Sequence, residues 1–374
     1  MNIKSYKNLC KFCDNILFSR KSNIYTHAIT NLHILKEHPV LLDEFFIKNK
    51  IEYRNSLSIF FKVFIYLKNF FFEESDLKIN NKNKKKTDIL LLSNLINKSH
   101  INKKEDFYFG DIENRLNKKG IKTLTILRNF TGERSDIIFR LLNSDKVLLT
   151  QRTSLINELK IIFHIINQYF FIKKNFTVPK IHKLKSNFLS FASFRSMASN
   201  LRIYYQIKKV LKYTKPKVLI IPFEGHAWER LIINLVKKNG NKTKIAAYQF
   251  SVTTKFQHSI FRPLNKNYNP DIIYTSGNIT NKLFLNKFSC PVKTLGSNKF
   301  KNKINIKSKN KIFLIVPEAF TSETYFLLNF TLKIAKLLPD YKFIFRCHPM
   351  MREKKIMKKI KHQDNVKLSE SDLN

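Results

Sequence analysis

The stretch that most constrains this chain is residues 217–249, KVLIIPFEGHAWERLIINLVKKNGNKTKIAAYQ. Val218 to Ile221 is a continuous apolar run, too short for a helix and rich in β-branched residues, and Pro222 ends it. Phe223 to Ala227 reads as a loop. From Trp228 to Lys238 apolar residues return at Leu231, Ile232, Leu235 and Val236, a helical period, with Gly240 at the C-cap position. Lys244 to Tyr248 is the next strand. A strand, crossover helix and strand of this size form a βαβ unit, whose strands run parallel. Open parallel sheets bind ligands beyond the carboxyl ends of their strands. The loop that carries Glu224 and His226 lies there by construction, which makes these two the first candidate functional side chains.

The same alternation extends in both directions. Upstream, Asp88 to Leu92, Ile121 to Leu127 and Asp145 to Thr150 read as strands. Asp106 to Gly110 reads as the opening of a helix that Gly120 closes, and residues 153–174 and 195–213 are long helical stretches. Downstream, Pro270 to Gly277 is a strand ending in a tight turn, Asn278 to Phe288 a helix, and Val292 to Leu295 a strand. A second block follows the polar stretch 297–310. Lys311 to Val316 is a strand, Thr321 to Leu338 a helix, Tyr341 to Phe345 a strand and Asn365 to Leu368 a short strand. Alternation of this kind predicts α/β architecture with two Rossmann-like, doubly wound domains. The expected division is a helical N-terminal segment over 1–72, a charged linker over 73–87, a first domain over 88–296, a linker over 297–310 and a second domain over 311–374.

Composition narrows the chemistry. Hydrophobic content of 43% supports a globular chain, and seven glycines with no GxGxxG or GxxxxGK[ST] argue against a Gly-rich phosphate loop. The formal charge of +42 has two readings: a Lys-rich coding bias spread over the whole chain, or an anionic partner such as nucleic acid, acidic lipid or a phosphorylated substrate. The N-terminus, MNIKSYKNL, has no apolar core of signal-peptide length, and the apolar run Ile59 to Phe72 is broken by Lys62 and Lys68. A cytoplasmic protein is expected. Cys10 and Cys13, followed by His27 and His33, have the spacing of a Cys2His2 zinc site, or else pack as small apolar residues beside unrelated histidines.

Four features together resemble the GT-B class of glycosyltransferases: the PDIIYTSG strand and turn, the TLG before the second linker, the fresh strand KIFLIVPE, and the Arg346-x-His348-Pro349 exit. With the E-x-x-x-W-E block, Glu224 to Glu229, they resemble more narrowly the bacterial capsule and lipopolysaccharide biosynthesis proteins. The resemblance covers about residues 88 to 374. It implies a nucleotide-sugar donor held by the second domain, a glycan or lipid-linked acceptor held by the first, and donor phosphate contacts from Arg346 and His348. Cofactors beyond that substrate are not implied. Family members continue through further βα units, whereas this chain stops at Asn374, so the second domain is expected to be incomplete and its strands poorly covered.

Glycosyl transfer needs a carboxylate or imidazole within hydrogen-bond reach of the attacking hydroxyl. Glu224 and His226 are the candidate bases; each also has a plain role at the start of the following helix. Trp228 and Glu229 read as packing and capping residues, and His258 as a loop histidine. Ser276, Gly277 and Asn278 form a strand-to-helix turn whose amides either bind an anion or simply cap. Glu318 stands at a strand exit in the second domain. The main expectation is a glycosyltransferase working beside an anionic membrane surface at its cytoplasmic face. The alternatives are a basic nucleic-acid-binding protein built on the zinc motif, against which the basic residues do not segregate, and an inactive remnant.

Overall fold

The computed structural model describes residues 3–33, 86–97, 100–101, 103, 105–131, 133–142, 146–176, 191–238, 242–251, 253, 258–297, 311–317, 321–347, 360 and 363–369. The chain forms two compact units, Met1–Lys301 and Asn302–Asn374.

The first unit is built on seven parallel strands. They are β1 (Ile89–Leu95), β2 (Thr123–Asn129), β3 (Val147–Leu149), β4 (Val218–Pro222), β5 (Lys244–Gln249), β6 (Ile272–Thr275) and β7 (Val292–Thr294), in the spatial order β3-β2-β1-β4-β5-β6-β7. The chain winds outward from β1 to β3, returns to the middle at β4, and winds outward the other way. The strand order therefore reverses between β1 and β4, which are paired with Ile89 opposite Val218 and Leu91 opposite Ile220. Burial on both faces explains the near-continuous apolar strands: Leu90, Leu91 and Leu92 of β1 are all buried.

The helices, in chain order, are α1 (Ile3–Leu17), α2 (Ile24–His27), α3 (Ile112–Lys118), α4 (Ser135–Leu141), α5 (Leu155–Asn175), α6 (Phe191–Thr214), α7 (Ala227–Lys238), α8 (His258–Phe261) and α9 (Asn278–Phe284). Helix α7 is buried from Ala227 to Val236. Ile232, Leu235 and Val236 join the core under the sheet with Ile203 and Ile207 of α6. Leu231 joins a second core with Leu9, Cys13 and Ile16 of α1 and Met197 and Leu201 of α6. Residues 3–33, expected as part of a helical segment of their own, thus add a further layer to the first unit. Two buried arginines tie this layer and the loops together. Arg262 Nε donates to Asp14 Oδ1 at 2.6 Å. Arg230 donates to Asn269 Oδ1 and to the carbonyl oxygens of Tyr268, Ser259 and Ile260. These acceptors offset part of the cost of burying each guanidinium, although Arg230 Nε and both terminal nitrogens of Arg262 have no hydrogen-bond partner among the described residues.

The four residues with zinc-site spacing belong to this layer, and the zinc reading is corrected. Among the described residues no group of three or more His, Cys, Asp or Glu side chains could hold a metal ion. Cys10 and Cys13 are buried in the second core, and burial pushes the Cys10 thiol up to about 11 and Cys13 further. His27 stacks on Tyr268 with ring centroids 4.0 Å apart, and burial lowers its pKa to about 3. His33 donates from Nε2 to the His27 carbonyl at 3.0 Å and is held neutral by burial. All four are core residues, and the nucleic-acid alternative loses its metal motif.

Two element boundaries differ from expectation for local reasons. Residues 106–110 form a tight loop, not a helix start: Asp106 Oδ1 accepts the N–H groups of Tyr108 and Phe109 at 2.8 and 2.9 Å, and Asp106 and Gly110 bridge. This is an Asx turn, which competes with helix formation. Helix α9 ends at Phe284 because Asn286 takes the left-handed conformation at φ 64°. Gly240 lies outside the described residues.

The second unit holds three parallel strands, β8 (Ile312–Ile315), β9 (Lys342–Phe345) and β10 (Val366–Leu368), in the order β10-β9-β8, with the crossover helix α10 (Thr321–Leu337). Its core gathers Leu328, Ala335, Phe343, Phe345, Cys347, Ile360 and Val366. Phe343 and Phe345 of β9 are buried, whereas Ile312, Phe313 and Leu314 of β8 are exposed. The whole is α/β with parallel, Rossmann-like sheets, the second of them small.

Candidate active site at the strand reversal

The exit of β4 is shaped by one glycine and one carboxylate. Gly225 takes φ +79°, and a Cβ there would stand 2.4 Å from the Ser259 carbonyl oxygen. No other residue allows both the left-handed turn and the close approach of α8. The Ser259 hydroxyl donates to the Glu224 carbonyl at 3.1 Å, closing the loop against α8. From the first turn of α7, Glu229 Oε2 accepts the backbone N–H groups of both Glu224 and His226 at 2.9 Å. Glu229 was expected to cap; the structure shows that it also fixes the two residues before the helix.

Those two residues then meet. His226 Nε2 and Glu224 Oε2 are 2.9 Å apart, with side chains 29% and 23% exposed, so the pair borders solvent. With Nε2 turned to Glu224, Nδ1 is the ring atom left to exchange protons with a ligand. Burial opposes charge on His226, but Glu229 and Glu224 outweigh it and raise its pKa above the ordinary value. Burial raises Glu229 to about 7, against the pull of His226 and its two backbone donors. Glu229 therefore exchanges its proton near neutrality, beside an imidazole whose protonated form is favoured.

Three further groups come from β1 and β2, across the reversal. Asn94, near the end of β1, donates from Nδ2 to the Tyr108 hydroxyl at 3.1 Å. Tyr108 meets Phe250, just past β5, edge to face at 4.3 Å, and burial lifts its hydroxyl pKa to about 12. Arg128, opposite Asn94 in the β1–β2 ladder, lies over the Trp228 ring at 3.9 Å and the Phe130 ring at 4.8 Å. Burial lowers its pKa to about 10, while the charge of Glu229 holds it up. Asn94, Tyr108 and Arg128 are not marked by any motif in the sequence. The readable signal was polarity at the end of an apolar strand, Ser93-Asn94 and Arg128-Asn129, which a parallel sheet places at its ligand-binding edge.

The other expected residues lie elsewhere. Ser276 and Gly277 follow β6, two strands from β4, at the same edge. The Ser276 amide donates to the Gln249 carbonyl, the Gly277 carbonyl accepts from the Thr275 hydroxyl, and Gly277 stands at the N-cap of α9 with no side-chain cap. Arg346 follows β9 in the second unit, its amide bonded to the Ile315 carbonyl. His348, Glu318 and the His258 side chain lie outside the described residues.

The class defined by this fold and edge is a doubly wound α/β protein with an acid–base cluster where its strand order reverses. No protein-family model matches the chain, and no curated protein matches it. Among solved structures it is similar to the UDP-GlcNAc 2-epimerase from Neisseria meningitidis bound to UDP-GlcNAc, with 13% identity, a TM-score of 0.43, and 75% of this chain and 72% of that one covered. It is similar to an α,α-trehalose 6-phosphate synthase from Burkholderia multivorans at 8% identity and a TM-score of 0.41, covering 77% and 74%. It is also similar to a mutant of S. aureus TarM in complex with Fondaparinux, alpha-GlcNAc-glycerol and UDP, at 11% identity and 0.39, covering 75% and 77%.

Two outcomes are expected of stability measurements. Gly225→Ala meets backbone at 2.4 Å in a left-handed turn, whereas Gly120, at φ +74°, has open space around it. Thermal or urea unfolding will show a loss of about 3 kcal/mol or more for Gly225→Ala and about 1 kcal/mol for Gly120→Ala. The raised pKa of Glu229 means that its contribution is fully present below about 4.5 and fades as pH rises through about 7. Urea unfolding of the wild type will lose stability between pH 5 and pH 8, and Glu229→Gln will remove on the order of 2 kcal/mol of that loss. An equal loss in both proteins contradicts the assignment.

Proposed function

We propose that the protein is a GT-B-like glycosyltransferase, moving a sugar from a nucleotide-activated donor to a surface-glycan or lipid-linked acceptor. The observation that carries the reading is the Glu224–His226 pair, 2.9 Å apart on the loop leaving β4, beside the strand reversal. Glu224 takes the proton from the acceptor hydroxyl as its oxygen attacks the anomeric carbon. The bond from that carbon to the nucleotide phosphate breaks, and its electron pair leaves on the phosphate oxygen. His226 orients Glu224 and shares the proton. The donor phosphates fall to Arg346 and His348 on the strength of the R-x-H-P motif.

A membrane-borne acceptor, and a place at the inner face of the membrane, suit one feature of the first unit and one of the whole chain. Leu155, Ile156, Leu159, Phe163, Ile166 and Phe170 make an exposed apolar stripe along α5. The chain's formal charge is +42. An apolar stripe on a cationic body favours an anionic bilayer surface. No helix among the described residues is long and apolar enough to cross a membrane.

The test is turnover of a panel of nucleotide sugars with lipid-linked and polyol-phosphate acceptors. Glu224→Gln and His226→Ala are expected to lower kcat by about 10²- to 10⁴-fold with modest change in KM. His348→Ala is expected to raise the donor KM. No release of nucleotide from any donor by a folded wild-type protein contradicts the reading.

A further inference from the structure

Three arginines of the first unit are each anchored by hydrogen bonds to acceptors. Arg202 forks onto Glu158 from Nε and Nη2 at 2.9 Å, Arg262 pairs with Asp14, and Arg230 spans four acceptors. Arg128 differs. It is half-buried at the end of β2, its guanidinium stacks over Trp228 and Phe130, and no ion pair or hydrogen bond from its side chain is formed among the described residues. Its Cζ lies 3.9 Å from the Trp228 ring centroid and 4.8 Å from that of Phe130, and rings against a guanidinium face leave the N–H donors on its edge for an acceptor. Leaving such a fork unmatched in a partly dehydrated place costs free energy, and a ligand that accepts from it recovers that cost. The neighbouring groups are Tyr108, which feels the charges of both Arg128 and Glu224, together with His226 and Glu229.

We propose that Arg128 is the anchor of an oxyanion subsite, and that the ligand group it takes is a phosphate or diphosphate of a substrate. The planar fork matches phosphate oxygens two at a time. Its place, on β2, two strands from β4 across the reversal, holds that phosphate beside the reacting hydroxyl. The Tyr108 hydroxyl, set by Asn94, lines the same edge. The idea rests on the glycosyl-transfer reading only for the identity of the substrate; the anion subsite stands on the geometry of Arg128. A phosphate on the acceptor and the departing nucleotide diphosphate share the required chemistry.

Trp228 is the chain's single tryptophan and stacks on Arg128 at 3.9 Å, so its fluorescence reports on this site alone. The full chain is titrated with inorganic pyrophosphate, glycerol phosphate and uridine diphosphate at about 0.3 M salt, where loose binding to surface lysines is screened. The expected result is a saturable change in Trp228 emission with at least one of the three. Arg128→Gln weakens that binding by about tenfold or more, and Arg128→Lys, which keeps the charge and loses the fork, by about fivefold. Circular dichroism confirms the fold, and the Lys variant decides if the Gln variant does not fold. Glycerol phosphate acting alone assigns the subsite to the acceptor; the nucleotide acting alone assigns it to the donor. No saturable response from the wild type, or equal affinity in a folded variant, overturns the proposal. Arg128-dependent binding without sugar transfer retains the subsite and rejects the transferase. Sugar transfer with unchanged KM in the Arg128 variants does the reverse.

Discussion

One carboxylate organises the edge on which the functional reading depends. Glu229 reaches back from the first turn of α7 and accepts the N–H groups of Glu224 and His226 through a single oxygen. The two side chains that meet at 2.9 Å do so because their backbones are held by the same atom. Gly225 between them supplies the turn that no side chain permits, and the Ser259 hydroxyl locks the outer face of the loop. Capping a helix with a carboxylate is an ordinary device. Burying that carboxylate beside a second one is not, and it raises the Glu229 pKa toward neutrality.

The sheet explains why this loop matters. Parallel strands all deliver their carboxyl ends to one edge, and a reversal of strand order opens a gap between the loops of neighbouring strands there. Glu224 and His226 enter that gap from β4, Asn94 and Tyr108 from the β1 side and Arg128 from β2. Glu224 and Glu229 supply acid–base capacity, while His226 and Arg128 offset their charge. Partial burial at the margin of the sheet strengthens each of these interactions relative to water.

Much of this was readable in the residues. Apolar runs of strand length, separated by helical periods, placed β4, α7 and β5 within a residue or two, because period and length are local properties. The position of Glu224 and His226 followed from the parallel sheet alone. What the sequence hid was nonlocal. Arg128 closes an apolar strand and looks like an ordinary solvated end; only the fold stacks it on Trp228, a hundred residues on. Tyr108 was hidden by Asp106, whose Asx turn replaced the expected helix start. Cys10, Cys13, His27 and His33 misled for the opposite reason. Their spacing suits a metal, yet burial in an apolar layer favours neutral thiols and imidazoles.

The claim at the centre is that two carboxylates hold the His226 imidazole in a raised, shared-proton state at the strand reversal. Nuclear magnetic resonance titration of the His226 ring reads this directly. The account predicts a midpoint above the ordinary histidine value of about 6.5, falling when Glu229 or Glu224 is changed to glutamine. A midpoint at or below that value, unmoved by either substitution, would show that the cluster does not exist as described.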